Sequence, residues 1–227
     1  MKIFLKTLAK CPLFAEIAPE QIETMLSCLG GTVKQYKKNE LVIMEGDAVS
    51  SVGVLLAGEM QVTKDDLMGN RSILTELHES DIFAEALACA GTKHSPVSVW
   101  SMQKSSVLMM PFERIVNSCS SACGFHARLI ENMMRLLAGK NLALTQKIDL
   151  LTQRTIRSRI LLYLQQQAVA NDSNEYTLLL PLSRKEMAEY LSVDRSALSR
   201  EMCRLRDEGV ISFEKNLLKI LKPAQLS

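Results

Sequence analysis

The stretch Leu182-Ser183-Arg184-Lys185-Glu186-Met187-Ala188-Glu189-Tyr190-Leu191-Ser192-Val193-Asp194-Arg195-Ser196-Ala197-Leu198-Ser199-Arg200 decides the reading of this chain. Ser183 followed three places later by Glu186 is a capping box, so a helix starts at Arg184. Met187, Ala188 and Leu191 share one face of it, and Ala188 is small where a second helix must cross closely. The turn Ser192-Val193-Asp194 follows, with Asp194 suited to cap a second helix from Arg195 to about Glu208. Gly209 stands at the stop position. This is a helix-turn-helix pattern.

The second helix has two different sides. Leu198, Met202 and Leu205 recur at i, i+4 and i+7 and point inward. Arg195, Ser196, Ser199, Arg200 and Cys203 lie on another stripe. Between Arg195 and Arg206 stand four arginines (195, 200, 204 and 206) against one acid, Glu201, a local basic footprint in a chain whose net charge is only +2. Such a helix fits a major groove. The guanidinium of Arg200 suits guanine O6 and N7, while Ser183, Arg195, Ser196 and Ser199 are candidates for bases or phosphates. Val210–Phe213 and Leu217–Leu221 flank Glu214-Lys215-Asn216 as two strands of a wing, with Lys215 a candidate for the DNA backbone.

Upstream, residues from about Ala122 to Leu151 form one long helix. Ile130, Leu137, Leu144 and Leu151 recur every seven residues, and Met134, Asn141 and Ile148 stand four places after the first three. That is a coiled-coil seam, read as a dimer interface in which Asn141 fixes register. The other reading is that the stripe packs on the helix's own domain.

The N-terminal half has another texture. Lys6 to Leu29 is helical and broken by Pro12 and Pro19. From Gly30 to Pro111 short apolar strands alternate with turns: Glu40–Met44, Ser51–Leu56, Met60–Lys64, Ser72–Leu74, Val97–Trp100 and Ser106–Met110. Many short strands with glycine turns imply a barrel, sandwich or roll.

The chain has 227 residues, with 47% hydrophobic and 23% charged side chains. No apolar run reaches the roughly 20 residues that cross a bilayer, and Met1–Lys6 lacks the pattern of a secretory signal, so a cytoplasmic protein is expected. Six cysteines without a paired framework read as small apolar residues in a reducing compartment. No P-loop, GxGxxG, metalloprotease or serine-triad ordering is present, and three histidines give little for acid–base work. An enzyme is not expected.

The match now extends along nearly the whole chain. Leu55-Leu56-Ala57-Gly58-Glu59-Met60-Gln61-Val62, Ser80-Asp81-Ile82-Phe83-Ala84-Glu85 and above all Leu182–Arg200 resemble the CRP/FNR family of bacterial regulators. The resemblance implies an α+β chain in three parts: a β-roll (jelly-roll, cyclic-nucleotide-binding-like) sensor with N-terminal helices at 1–115, a long dimerisation helix at 116–150 and a winged helix-turn-helix at 151–227. It implies a homodimer on pseudo-palindromic double-stranded DNA, with half-sites about one helical turn apart, and RNA polymerase as a further partner. It also implies an effector between roll and long helix, for which Glu85, Ser95, Val97, Met134, Asn141 and Thr145 are candidates, and a hinge near Asp149–Gln153.

The departures from the family pattern are specific. Relatives that bind cyclic AMP carry Gly-Glu and, about ten residues later, Arg-Ser; here stand Ala84-Glu85 and Lys93-His94-Ser95-Pro96-Val97, without the arginine that would hold the cyclic phosphate. Cys11 and Cys28 do not reproduce the close cysteine spacing of iron–sulfur sensors. His78 is the counterpart of a haem ligand only as a lone histidine, so no cofactor is expected. Cys119, Cys123 and His126 fall on one helical face, open to a metal or redox role or to ordinary packing. Many relatives have a glutamate where Ser196 stands, so the half-site should keep the guanine read by Arg200 and change where the glutamate would read. A ligand-independent regulator and a winged-helix protein-interaction module are the alternatives.

Overall fold

A computed structural model describes residues 2–117, 124–170, 177–180, 182–214 and 217–222. The chain divides into two compact units, Met1–Gly139 and Lys140–Ser227.

The first unit opens with helices α1 (Leu5–Leu8) and α2 (Pro19–Cys28), separated by a 3-10 turn at Pro12–Phe14. Pro19 stands in the first turn of α2, where its missing N–H costs nothing. Ile22, Met25, Leu26 and Leu29 follow at helical spacing and are buried. Strands β1 (Thr32–Tyr36), β2 (Leu41–Ile43), β3 (Ser51–Ala57), β4 (Met60–Asp65), β5 (Arg71–Leu77) and β6 (Ile82–Phe83) come next. Helix α3 (Glu85–Cys89), strands β7 (Ser98–Ser101) and β8 (Ser105–Pro111) and helix α4 (Phe112–Val116) complete this part. The strands form two antiparallel four-stranded sheets, ordered β1-β8-β3-β6 and β2-β7-β4-β5, which is the expected roll.

The core of this unit includes Val52, Val54, Leu55, Leu56, Met60, Val107, Leu108 and Met110. Val52–Leu56 is buried without alternation, as in a strand covered on both faces. Within that run Gly53 pairs with Phe83, and a Cβ at Gly53 would lie 2.3 Å from the Phe83 ring. Only glycine lets the ring lie on the strand.

The long helix α5 (Gly124–Thr152) contributes to both units. In the first, Leu129 and Met133 are buried in the roll's core, and Asn132 Nδ2 donates to the carbonyls of Leu13 (3.1 Å) and Ala15 (2.8 Å). One stripe of the helix thus packs on its own unit. The heptad stripe stands beside it: Ile130 and Leu137 are half-buried, while Met134, Leu144 and Ile148 are 66%, 63% and 60% exposed, and Asn141 and Leu151 are exposed too.

The second unit adds α6 (Ile156–Ala170), β9 (Thr177–Leu179), α7 (Arg184–Leu191), α8 (Arg195–Asp207), β10 (Ile211–Glu214) and β11 (Leu217–Ile220). Thr155 Oγ1 accepts from Ser158 N at 3.0 Å and so caps α6. The wing is a three-stranded antiparallel sheet, β10-β11-β9, rather than the hairpin the sequence suggests. Leu150, Ile160, Tyr163, Leu164, Met187, Leu191, Leu198 and Leu218 belong to its core. No helix among the described residues is long and apolar enough to cross a membrane.

Candidate nucleic-acid interface

Helix α7 begins as its sequence requires. Ser183 N donates to Glu186 Oε2 at 2.7 Å, and Glu186 N donates to Ser183 Oγ at 3.3 Å. The Ser183 backbone N–H first, then its hydroxyl, hold the Glu186 carboxyl below its usual value. Ser192 takes the left-handed conformation (φ 52) at the end of α7, and Val193 N donates back to Ala188 O at 3.0 Å. Asp194 then caps α8: its Oδ1 accepts from the backbone N–H of Ser196 (2.8 Å) and Ala197 (3.0 Å) and from Ser196 Oγ (2.5 Å). The Ser196 hydroxyl, then the two backbone donors, hold this carboxyl low as well.

With both starts fixed, the faces of α8 separate. Leu198, Met202 and Leu205 are buried, as is Ala188 where α7 faces α8. Arg195, Ser196, Ser199, Arg200, Cys203 and Arg204 are exposed. The arginines differ in what they hold. Arg204 Nη1 is 3.3 Å from Glu201 and Arg206 Nη2 is 2.9 Å from Asp207. Arg200 Nη1 donates to the neutral Ser196 Oγ at 3.2 Å. Among the described residues neither Arg195 nor Arg200 has an ion-pair partner. Positive charge without an ion-pair partner among the described residues therefore concentrates on the N-terminal half of α8, the end that helix-turn-helix proteins turn toward base edges.

Three basic residues hold this head together without having stood out in the sequence. Arg184 lays its guanidinium over the Phe213 ring at 4.6 Å, joining the first turn of α7 to the wing; burial lowers its pKa, and Nη1 and Nη2 find no hydrogen-bond partner among the described residues. Arg159 donates through Nε to Gln153 O (3.1 Å), through Nη1 to Leu191 O (3.1 Å) and Ser192 O (3.3 Å), and through Nη2 to Leu151 O (3.3 Å). One cation thus answers carbonyls at the C-terminal ends of both α5 and α7. Lys147 donates to Tyr190 O and stands 3.7 Å from that residue's ring centroid. The segment expected to hinge, Asp149–Gln153, therefore lies inside the second unit and is tied down there.

Lys215, Cys119 and Cys123 lie outside the described residues. His126 is buried, with Nε2 3.2 Å from Arg114 O. Of the effector candidates, Glu85 and Ser95 are buried and Val97 is half-buried. Ser95 Oγ donates to Val97 O at 2.7 Å, and Ser95 N to Asp47 O at 2.8 Å. Met134 is exposed on α5; Asn141 and Thr145 belong to the second unit. A cavity of about 430 Å³ in the first unit is lined by other residues, among them Val49, Ala88, Cys89, Lys93 and Phe112. Cys11 is buried, and burial pushes its thiol up to about 11. His78 is exposed, with Nδ1 3.9 Å from Glu59 Oε1.

Comparison with known proteins agrees with this geometry. Residues 33–121 match the model of the cyclic nucleotide-binding domain, and residues 158–227 that of the Crp-like helix-turn-helix domain. The chain is 26% identical over 193 residues to the transcriptional activator protein FnrA of Stutzerimonas stutzeri, covering 83% of this chain and 76% of that one. It is 24% identical over 199 residues to the global nitrogen regulator of Nostoc sp., covering 86% and 87%. In fold it is similar to the Thermus thermophilus catabolite activator protein (TM-score 0.55, 20% identity, 95% and 96% covered) and to CprK complexed with OCPA (TM-score 0.61, 16% identity, 91% and 92% covered). A sensor-type roll joined to a Crp-like helix-turn-helix defines a DNA-binding transcription regulator. The chain belongs to the CRP/FNR family.

Proposed function

We propose that the chain acts as a cytosolic homodimer that reads a pseudo-palindromic DNA site, contacts RNA polymerase there, and changes its binding in response to a small-molecule or redox signal in the roll. The observation that carries this reading is the unpaired pair Arg195 and Arg200 on the exposed face of a helix whose opposite face is buried. Arg200 donates to guanine, and Ser183, Arg195, Ser196 and Ser199 meet neighbouring bases and phosphates, with Lys215 on the wing. Two copies meet along Ile130, Met134, Leu137, Asn141, Leu144, Ile148 and Leu151. Large apolar side chains left exposed on one stripe of α5 support that seam.

The signal is one other than cyclic AMP, haem or an iron–sulfur cluster. The Lys93–Val97 segment offers a cyclic phosphate no guanidinium, and the Ser95 hydroxyl is bound to Val97 O. A thiol held near 11, as at Cys11, is a poor source of the thiolate that a cluster needs, and Cys28 is exposed. Glu85, Ser95 and Val97 with Met134, Asn141 and Thr145 remain the proposed lining for a different ligand. Selection of bound sequences from a random duplex pool tests the whole reading. A two-fold-related motif supports it, and binding without sequence preference removes it in favour of a winged-helix interaction module.

A further inference from the structure

The β2-β7-β4-β5 sheet carries a second feature unconnected with α8. A cavity of about 290 Å³ is lined by Asn39, Gln61, Thr63, Arg71, Trp100 and Met102. Sheet register brings the wall together. Gln61 stands opposite Trp100, Thr63 follows two places along the same strand, and Arg71 comes from the neighbouring β5. Thr63 is 2% exposed, and its Oγ1 has no hydrogen-bond partner among the described residues; the same holds for the buried Nε1 of Trp100. Buried polar atoms nearly always find partners, so two orphans lining one cavity mark a place where a partner belongs.

The lining also says what that partner is. Arg71 is its one charged side chain, and both Nε (3.0 Å) and Nη2 (3.1 Å) are engaged by Asp65. Asp65 already neutralises that guanidinium, so the cavity carries no net charge to draw an anion and favours an uncharged occupant. It must accept from the indole N–H, and it must pair with a hydroxyl that both donates and accepts. The guanidinium lies over the indole at 4.7 Å and gives the wall a flat layered face. The volume is at the small end for ligand sites. We propose that this cavity binds a small uncharged polyhydroxylated ring of the monosaccharide class, with ligand hydroxyls on Trp100 Nε1 and Thr63 Oγ1.

Trp100 is the only tryptophan in the sequence, so indole emission and the indole N–H resonance report on this site alone. The full chain would be titrated with glucose, galactose and N-acetylglucosamine, and separately with sodium phosphate at matched ionic strength. A saturable change with at least one sugar and none with phosphate is expected. Thr63→Val keeps the shape and removes the hydroxyl, so it should weaken binding about ten-fold, the loss of one hydrogen bond. Trp100→Phe keeps an aromatic wall and removes the indole donor, so, read by titration calorimetry, it serves as the second variant if Thr63→Val fails to fold. No saturable change with any sugar, saturation by phosphate instead, or undiminished affinity in a folded variant would each overturn the proposal.

Discussion

Ser196 Oγ accepts from Arg200 Nη1 at 3.2 Å while donating its own proton to Asp194 Oδ1 at 2.5 Å. A neutral hydroxyl thus holds the candidate base-reading arginine, with the Asp194 carboxylate behind it close enough to feel its charge. Arg200→Ala should weaken binding to the selected DNA site by about 1–3 kcal/mol and relax one guanine position per half-site. Ser196→Glu should restore a preference for cytosine next to it. Competition binding against single-base variants of the selected site checks both, and an unchanged preference in Arg200→Ala would sink the proposed readout.

The caps of α7 and α8 predict a response to acid. Glu186 and Asp194 sit below their ordinary values of 4.5 and 3.8 when folded. Their contribution is fully present above those values and is lost as pH falls through the lowered ones. Asp194→Ala should lower the thermal midpoint by about 2–4 °C at neutral pH. The variant's deficit should shrink below pH 4, as circular dichroism melts across the pH range would show.

Burial sorts the thiols. Cys11 is held near 11 and shielded, whereas Cys28 and Cys203 are exposed. Labelling of the native protein at pH 8 should modify Cys28 and Cys203 rapidly and Cys11 only on unfolding, a pattern that peptide mass spectrometry resolves. The raised value also has a sign. Cys11 leaves stability untouched below about pH 9 and erodes it as pH rises toward 11, because only the unfolded chain ionises there.

Gly53 should tolerate no side chain. A methyl group there meets the Phe83 ring at 2.3 Å inside a strand buried on both sides. Gly53→Ala is expected to cost about 1–3 kcal/mol in urea denaturation. The pair Gly53→Ala, Phe83→Leu should recover part of that loss.

Charge placed on the α5 stripe should prevent assembly. Leu144→Glu with Ile148→Glu puts acids at two exposed positions, so the single chain should stay folded. Sedimentation should then report a monomer, with DNA affinity falling to that of one half-site. A dimer unaffected by both changes would move the interface elsewhere.

The sequence yielded the elements governed by neighbours along the chain. Ser183 with Glu186 and Asp194 with the two amides after it are local patterns, and the roll strands with alternating or fully apolar character were equally visible. What escaped depends on distant partners. Strand β1 has only half-buried and exposed residues, so its pattern is weak, and β9 becomes a strand by pairing with β11, some 40 residues away. The work of Arg159, Lys147 and Arg184 is set by carbonyls and rings that folding delivers. Trp100 read simply as a strand residue, because the orphaned state of its nitrogen exists only once Thr63 and Arg71 surround it.

The Arg159 clasp has a mechanical corollary. Because a single side chain grips the carbonyl ends of the long rod and of α7, and Lys147 pins the same pair again at Tyr190, the final turns of the long rod and the helix-turn-helix head form one lever. Torque applied to Lys140–Thr152 would pass to the exposed Arg195 and Arg200 through that clasp. A turn of that segment would re-aim the head as a whole rather than unfold it.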